Sequence, residues 1–407
     1  MTATNTPFTD INFDNQRAAL DSLPVHWVKT ENELYRLIDE IDGVERVALD
    51  TEFIKRTTYF PILALVQVNI GQAIYLIDAP RLDLKEFWQA LSEIPEMIWY
   101  ACGEDLGIFY LLSECPPLTN VIDVQIGMAY LTGDLQMGYG RALTMAFGLE
   151  IDKSESQSDW LVRPLSENQE KYAADDVRYL LALHDAVHLA LTQKQIAAFA
   201  KEDMVLYAKE LYDAQHLPDD QLYKEFLTPI YTHEQVAVLQ ALTMWRERLA
   251  RSTNQPRAFI VNRQAMREIV FAMPTTIKAL ARTTINRSSL RLYGDEIIRL
   301  IKEAKQLPDA DKPPMPSPTY EIKNKQLKDK LKKEIQHFSE QTNVPSILLL
   351  KSRHLKELAT QVMTEEVIAP PLIEGLNGYR QAWVLEVIIP LLQEHKAWIT
   401  VGEEGGC

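Results

Sequence analysis

A tyrosine and an aspartate four residues apart, Tyr172 and Asp176, are the first candidates for chemistry in this sequence. They lie in residues 166–186, where Ser166 and Gln169 have the spacing of a capping box and apolar residues recur at helical intervals. Side chains four apart on a helix are neighbours, with Cβ atoms roughly 5–6 Å apart. The sequence therefore predicts a helix over 166–186 that holds a phenol beside a carboxylate.

Three other carboxylates could meet this pair. Asp50 and Glu52 follow the apolar residues 47–49, a pattern typical of a strand, and residues two apart on a strand point to the same face. Asp105 follows a second apolar strand at 97–101 and would lie in the first turn of the next helix. The sequence therefore supplies four carboxylates and one phenol that could converge on one site.

Four carboxylates in one pocket would repel one another and raise each other's pKa. Mg²⁺ or Mn²⁺ removes this repulsion, because hard divalent cations take oxygen ligands. Two such ions about 3.5–4 Å apart can stabilise both the entering and the leaving oxygen of a phosphodiester displacement. The predicted chemistry is therefore metal-dependent phosphodiester hydrolysis.

The order and spacing of these residues resemble the tyrosine-containing branch of the DEDD exonuclease superfamily, and within it the ribonuclease D family. The resemblance is carried by Ala48-Leu49-Asp50-Thr51-Glu52-Phe53, Gly103-Glu104-Asp105-Leu106, residues 152–160, Arg163-Pro164-Leu165 and Tyr172-Ala173-Ala174-Asp175-Asp176-Val177. It implies a 3′→5′ exoribonuclease that releases 5′-monophosphates. It also implies that the substrates are tRNA precursors and other small structured RNAs, trimmed at their 3′ ends.

The resemblance also implies roles for individual residues. Asp50, Glu52, Asp105 and Asp176 would hold two divalent ions, Mg²⁺ or Mn²⁺, and Tyr172 would orient the attacking water. With a reference pKa near 10, a tyrosine is better suited to position water than to act as a base at pH 7. Further candidates for substrate contact are Phe53 against the terminal base and, for the phosphates, Arg246, Arg251, Arg257 and Arg263.

Other interpretations of the same residues remain open. An isolated Asp-x-Glu pair on a strand usually faces solvent, and Asp105 could simply favour a helix N-terminus through the helix dipole. Asp175 lacks the four-residue spacing to Tyr172, so we expect it to point to solvent. Asp123 is a fifth acidic candidate, for which a structural role is favoured.

Alternative functions are a DNA 3′→5′ exonuclease of the proofreading type and a non-catalytic RNA-binding scaffold that has kept the fold. A helicase is excluded because the sequence has no G-x-x-x-x-G-K-[ST] phosphate loop.

The alternation of strands and helices predicts an α/β, ribonuclease H-like exonuclease domain with a mixed five-stranded sheet. Two small all-α modules follow it. The first resembles an HRDC domain through Trp245-Arg246-Glu247-Arg248, residues 256–261 and Tyr293-Gly294; in the second, residues 344–349 take the place of 255–260. The predicted boundaries are a loose tail at 1–22, the exonuclease domain at 23–205, a helical connector at 206–232, the first HRDC domain at 233–306, a proline-rich linker at 307–319, a second HRDC-like domain at 320–400 and a tail at 401–407.

Charge is unevenly distributed along the 407 residues, which carry a net charge of −15. Residues 1–200 hold 14 Lys+Arg and 30 Asp+Glu, a balance of −16, whereas residues 251–350 hold 18 and 10, a balance of +8. A separate basic region suits binding to a phosphate backbone. No run approaches the ~20 apolar residues of a membrane span, and the three cysteines form no CxxC pair. We expect a cytoplasmic, monomeric RNA-binding enzyme.

Overall fold

The part of the chain predicted to be an exonuclease domain is built around a mixed sheet of six strands with the order β1-β4-β3-β2-β5-β6. The strands are β1 (Val25–Val28), β2 (Arg46–Ile54), β3 (Ile62–Asn69), β4 (Ile74–Ile77), β5 (Glu96–Trp99) and β6 (Val121–Asp123). Strands β2, β5 and β6 run parallel, β3 and β4 are antiparallel, and β1 lies parallel to β4 at the edge. The predicted mixed sheet is confirmed, but it has six strands rather than five. The strand missed by the prediction is β1, a short edge strand with two exposed residues.

The computed structural model describes residues 7–8, 13–152, 154–316, 318–364, 368–369, 373 and 375–402. Residues 1–6, 9–12 and 403–407 of the predicted tails lie outside the described residues, as does Lys153. Among the described residues, no helix is both long and apolar enough to cross a membrane.

Nine α-helices surround the sheet in the described part of residues 1–215. They are α1 (Asp14–Asp21), α2 (Glu31–Ile41), α3 (Lys85–Glu93), α4 (Gly103–Ser113), α5 (Val124–Thr132), α6 (Tyr139–Phe147), α7 (Glu167–Arg178), α8 (Leu180–Gln193) and α9 (Ala197–Gln215). The side chains of α2, α3 and α4 pack on one face of the sheet, and those of α5, α7 and α8 pack on the other. The sheet is thus covered on both faces, as its continuous apolar strands require.

Two predicted boundaries in this part were wrong. Residues 14–21 are not a loose tail but helix α1, which is held because Phe13 stacks on Phe147 at 4.0 Å and Asp21 accepts a hydrogen bond from Tyr179. The boundary predicted at 205/206 falls inside α9, whose Ala200, Met204 and Ala208 are buried. Helix α9 therefore belongs to the predicted exonuclease domain up to its end.

By contacts within the chain, the structure divides into two compact units. The first contains the described residues up to Ile54, Leu63–Gln215 and Tyr320–Thr400. The second contains Lys55–Ile62, His216–Thr319 and the described residues from Val401.

The second unit is a helical bundle around its own apolar core. Its helices are α10 (His233–Thr253), α11 (Arg257–Ile260), α12 (Arg263–Ala272), α13 (Ile277–Leu280) and α14 (Arg287–Lys305). A 3-10 helix, Asp219–Phe226, precedes them. Helix α10 begins with a capping box at Thr232 and Gln235 and ends at Asn254 in the left-handed conformation, φ 48°. Val236, Leu239 and Leu242 are buried in this core.

Residues 320–400, predicted as a separate domain, belong instead to the first unit. Their helices are α15 (Lys325–Thr342), α16 (Ser346–Leu349), α17 (Ser352–Thr364), α18 (Gln381–Trp383) and α19 (Ile389–Glu394), flanked by strands β7 (Tyr320–Ile322) and β8 (Ile399–Val401). One apolar cluster runs from the sheet into this module. Arg380 donates to the carboxylate of Asp203 on α9 at 2.5 and 2.7 Å. Sequence patterns did not indicate this attachment, because its two sides are 177 residues apart.

Candidate active site

Strand β2 presents two carboxylates on one face of the sheet. Its apolar residues alternate, with Ala48 in the core on one side and Val47 and Leu49 in the core on the other. Asp50 and Glu52 therefore share the face of Ala48. Helix α7 covers this face and buries Ala173, Ala174 and Val177 against it.

Helix α7 carries Tyr172 and Asp176. The predicted capping box is present, since Ser166 accepts from the backbone of Gln169 and the Gln169 side chain accepts from the backbone of Ser166. The ring of Tyr172 lies 5.8 Å from that of Trp160, and its side chain is half-buried. The two site residues are thus one turn apart on a helix packed against β2.

The helix predicted to run from 166 to 186 breaks at Tyr179, where α7 gives way to α8. The amide of Asn69 donates to the carbonyls of Val177 and Arg178 at 2.9 and 3.3 Å. These bonds give the carbonyl groups in the last turn of α7 a side-chain donor, and the Val177 carbonyl also accepts from the backbone N–H of Tyr179. Sequence periodicity could not indicate the break, because Asn69 lies more than 100 residues away.

Asp105 lies in the first turn of α4, which follows β5 as predicted. Its carboxylate accepts a hydrogen bond from the hydroxyl of Thr51, which lies between Asp50 and Glu52. Sequence reasoning missed Thr51. The only signal available was its position between two proposed ligands.

The side chains of Asp50, Glu52 and Asp176 meet. Each offers a carboxylate oxygen, and these oxygens all lie within 4.8 Å of one another. Asp105 is not one of these three, but its charge raises the pKa of both Asp50 and Glu52. We call Asp50, Glu52, Asp105 and Asp176 the acidic cluster.

The electrostatics of the acidic cluster are unfavourable for four negative charges. Burial, followed by the charges of Asp105 and Asp176, raises the pKa of Asp50 well above its usual range. Burial and the charge of Asp176 raise the pKa of Glu52 to about 9. Burial raises the pKa of Asp105 to about 6. Within the described chain, Asp50, Glu52 and Asp105 form no ion pair with a lysine or arginine.

Tyr172 is electrostatically linked to this cluster. Burial raises the pKa of its phenol above the usual value, and the charges of Asp176 and Glu52 add to that effect. The pKa of Tyr139 is raised by burial and by the charge of Asp176, so Tyr139 is a second phenol near the cluster that the sequence did not indicate. Both phenols stay protonated at neutral pH.

The structure places two other aspartates outside the cluster. The side chain of Asp175, predicted to point to solvent, is buried and bonds to Lys171 and Arg178 at 2.8 and 2.9 Å. Asp123 is also buried, and it accepts hydrogen bonds from backbone N–H groups, as a structural role requires. Neither belongs to the group of carboxylates whose oxygens converge.

Phe53 follows Glu52 on β2 and is partly exposed, so its predicted contact with a terminal base stays a prediction. The prediction for Arg246 needs correction. Its side chain is buried, donates to the Val261 carbonyl at 3.2 Å and lies over the Phe226 ring at 5.0 Å. Burial lowers its pKa to about 10. A buried guanidinium in this position is a packing element rather than a phosphate contact.

The other three arginines are paired with carboxylates. Arg251 and Arg257 bond to Glu247, which also accepts from the Tyr59 hydroxyl. We call Glu247, Tyr59, Arg251 and Arg257 the Glu247 cluster. Arg263 pairs with Glu225. Phosphate contact by Arg251, Arg257 or Arg263 stays a prediction, and RNA would have to compete with these carboxylates.

Comparisons with known proteins agree with this architecture. A family model described as a 3′-5′ exonuclease matches residues 25–192, and one described as an HRDC domain matches residues 235–301. Ribonuclease D of Xanthomonas oryzae is 30% identical over 382 residues, covering 91% of this chain and 99% of that protein. Ribonuclease D of Pseudomonas paraeruginosa is 31% identical over 295 residues, covering 71% of this chain and 77% of that protein.

Among solved structures, the crystal structure of Escherichia coli RNase D superposes with a TM-score of 0.80 at 26% identity. The match covers 91% of this chain and 98% of that one. The similarity thus extends from the exonuclease part through both helical modules. Given the relatives of at least 30% identity, the chain belongs to the ribonuclease D family and is a 3′→5′ exoribonuclease of that type.

Proposed function

We propose that the acidic cluster holds two divalent metal ions, Mg²⁺ or Mn²⁺, and that the enzyme removes 3′-terminal nucleotides of RNA as 5′-monophosphates. The convergence of the Asp50, Glu52 and Asp176 oxygens within 4.8 Å carries this proposal. Carboxylate oxygens are the ligands that hard divalent cations prefer. Asp105 completes the set of ligands, and Tyr172 orients the attacking water.

The ligand set fits such ions on physical grounds. Asp50, Glu52 and Asp105, which form no ion pair with a lysine or arginine of the described chain, are costly when ionised, and their raised pKa values express that cost. A cation that binds there offsets the mutual repulsion. When bound, divalent ions lower the pKa of water and stabilise charge on the leaving oxygen.

The protein's own contribution is to position the reacting groups. Strand β2 and helix α7 set Asp50, Glu52 and Asp176 around one point. Tyr172 is protonated at neutral pH, and its pKa is raised further above the ordinary value near 10, so it can donate a hydrogen bond but does not serve as a base. Its role is to orient water or a phosphate oxygen beside Asp176.

We propose that the substrates are small structured RNAs, including tRNA precursors with 3′ extensions. E. coli RNase D, whose structure superposes on this chain, is an exoribonuclease involved in structured RNA processing. Such substrates have a folded body as well as a free 3′ end, so they need a binding surface for phosphates as well as a catalytic pocket.

Helix α15 offers cations for this purpose. Residues 325–333 contain five lysines and one aspartate, a balance of +4. Lys325, Lys328, Lys332 and Lys333 are exposed and form no ion pair within the described chain. Lys325, Lys328 and Lys332 are spaced three and four residues apart, so they lie along one side of the helix. This lysine face of α15 supports the proposal that the second helical module contacts the RNA backbone.

The proposal is tested with a 5′-labelled tRNA transcript that carries a short 3′ extension. With Mg²⁺ or Mn²⁺, we expect a ladder of products shortened one nucleotide at a time and release of nucleoside 5′-monophosphates. Chelator should stop the reaction, and a DNA strand with the sequence of the extension should be degraded more slowly. Equal degradation of DNA would favour a proofreading-type exonuclease, and cleavage undiminished by chelator would contradict the metal-dependent mechanism.

A further inference from the structure

The proposed ligands differ in how the fold holds them. Asp50 and Glu52 lie on β2, which is hydrogen-bonded between two neighbouring strands. Asp105 and Asp176 lie on helices, near the start of α4 and near the end of α7. Helix ends have backbone groups without partners in the helix, so the position of such an end depends on what binds those groups.

A buried carboxylate binds the chain at the start of α4. Asp123, 1% exposed, accepts hydrogen bonds from the backbone N–H of Ala101 at 2.9 Å and of Cys102 at 3.1 Å. Cys102 is the residue that precedes α4, and its side chain makes no capping hydrogen bond. Ala101 has φ 58°, a left-handed conformation that residues other than glycine rarely adopt. Asp123 therefore fixes the strained turn from which the Asp105 helix starts.

A buried amide binds the chain at the end of α7. Asn69 is fully buried, and its amide donates to the carbonyls of Val177 and Arg178 while its oxygen accepts from the N–H of Gly71 at 2.8 Å. Val177 and Arg178 directly follow Asp176. Asn69 therefore fixes the end of the helix that carries Tyr172 and Asp176.

We propose that Asp123 and Asn69 are positioning residues that hold Asp105 and Asp176 in the acidic cluster, an inference that rests on the proposed function. Each side chain supplies the hydrogen-bond donors or acceptors that match the backbone groups it contacts. Asp123 accepts from three N–H groups, the third being that of Gln125, whereas Asn69 donates to two carbonyls. Exchanging carboxylate and amide preserves the shape at each position but sets donor against donor or acceptor against acceptor.

The test uses these exchanges, Asp123→Asn and Asn69→Asp, in the full chain. Matched controls make the same exchanges where no proposed ligand is nearby. Asp203→Asn disturbs a carboxylate that binds Arg380, and Asn120→Asp disturbs an amide that donates to the carbonyls of Ser92 and Ile94 at the end of α3. Thermal unfolding reports how much each exchange destabilises the fold.

Mn²⁺ binding measured by calorimetry is the deciding readout, with kcat and KM on a short RNA as the second. We expect Asp123→Asn and Asn69→Asp each to weaken Mn²⁺ binding about 10–100-fold and to lower kcat while KM changes little. The control variants should lose thermal stability but bind Mn²⁺ within about twofold of the wild type. Because the two exchanges act on different helices, either one that folds suffices for the test.

The outcomes separate this inference from the proposed function. A wild-type chain that binds no Mn²⁺ would overturn both. Wild-type binding of Mn²⁺ together with unchanged affinity in Asp123→Asn and Asn69→Asp would overturn the positioning role alone. Equal losses of Mn²⁺ affinity in the positioning variants and the controls would also overturn it, since the effect would then be general destabilisation.

Discussion

The carboxylates of two groups of charged residues in this protein have pKa values that are shifted in opposite directions. Burial alone would raise the pKa of Glu247, but hydrogen bonds from Arg257 and Tyr59 lower it below its ordinary value. In the acidic cluster, burial and neighbouring carboxylates raise the pKa of Asp50 and Glu52. Glu247 has its counter-charges within the protein, whereas Asp50 and Glu52 have none among lysines and arginines of the described chain.

This difference separates a carboxylate that is paired within the protein from carboxylates that have no lysine or arginine partner in the described chain. The Glu247 cluster stabilises its unit through internal ion pairs. The acidic cluster is a local cost to stability that a bound cation can offset, which is typical of a site built to bind something from outside. The same residue types therefore lie in opposite electrostatic environments in the two clusters.

The largest effect should come from the acidic cluster. We expect Asp50→Asn to reduce the rate of RNA hydrolysis at least about a thousandfold, because it removes a proposed metal ligand. Binding of RNA in the presence of chelator should stay close to that of the wild type. Asp176→Asn should behave in the same way, and full activity in either variant would contradict the assignment of metal ligands.

The contrast between the Glu247 cluster and the acidic cluster also predicts that removing a carboxylate from each has opposite effects on stability. Glu247→Gln should destabilise the protein by about 2 kcal/mol, because it leaves Arg257 without its carboxylate and Arg251 with only Asp219. Glu52→Gln should leave the metal-free protein as stable or make it more stable, because it removes a buried carboxyl group that is costly either to ionise or to keep protonated. Thermal unfolding in chelator measures both. A large loss of stability in Glu52→Gln would mean that its carboxylate already has a partner in the protein.

Cations already paired with carboxylates should matter less for RNA than unpaired ones. Replacing Lys325, Lys328 and Lys332 with Gln should lower the salt dependence of RNA binding, the slope of log K against log[salt], by about 2. The control removes three lysines that are already paired, Lys85, Lys209 and Lys312. Binding is measured in chelator to a tRNA-sized RNA. If the two triple variants have equal slopes, the lysine face of α15 has no special role.

A further effect concerns the pH dependence of stability. Glu52 has a pKa of about 9 in the folded chain and an ordinary value of 4.5. Between these values the folded state holds a proton that the unfolded state has lost, so the stability of the metal-free protein should decline as pH rises from about 4.5 to about 9. Thermal unfolding in chelator across this range should show a shallower decline for Glu52→Gln. An identical pH dependence in the variant and the wild type would contradict the raised pKa.

Local rules predicted the parts of the site that depend on nearby residues. Strand alternation placed Asp50 and Glu52 on one face, and helical spacing placed Tyr172 beside Asp176. The arrangement around them depends on contacts between residues distant in sequence. The hydrogen bond from Thr51 to Asp105, the break of the helix at Tyr179 and the burial of Asp175 all belong to this class.

The distinction between local patterns and contacts distant in sequence also applies to the domain organisation. The helical character of both modules follows from local periodicity and capping. The attachment of residues 320–400 to the exonuclease unit depends on pairs such as Asp203 and Arg380, which local patterns do not reveal. The arginines chosen as phosphate contacts were judged by charge alone, and the carboxylates that bind Arg251, Arg257 and Arg263 are visible only in three dimensions.

Crystals soaked with Mn²⁺ would test the central claim most directly, through anomalous scattering at the manganese edge. We expect anomalous peaks within bonding distance of the carboxylate oxygens of Asp50, Glu52 and Asp176, with Asp105 as a further ligand. The absence of any peak at these carboxylates, with Mn²⁺ bound elsewhere on the protein, would contradict the proposed metal site.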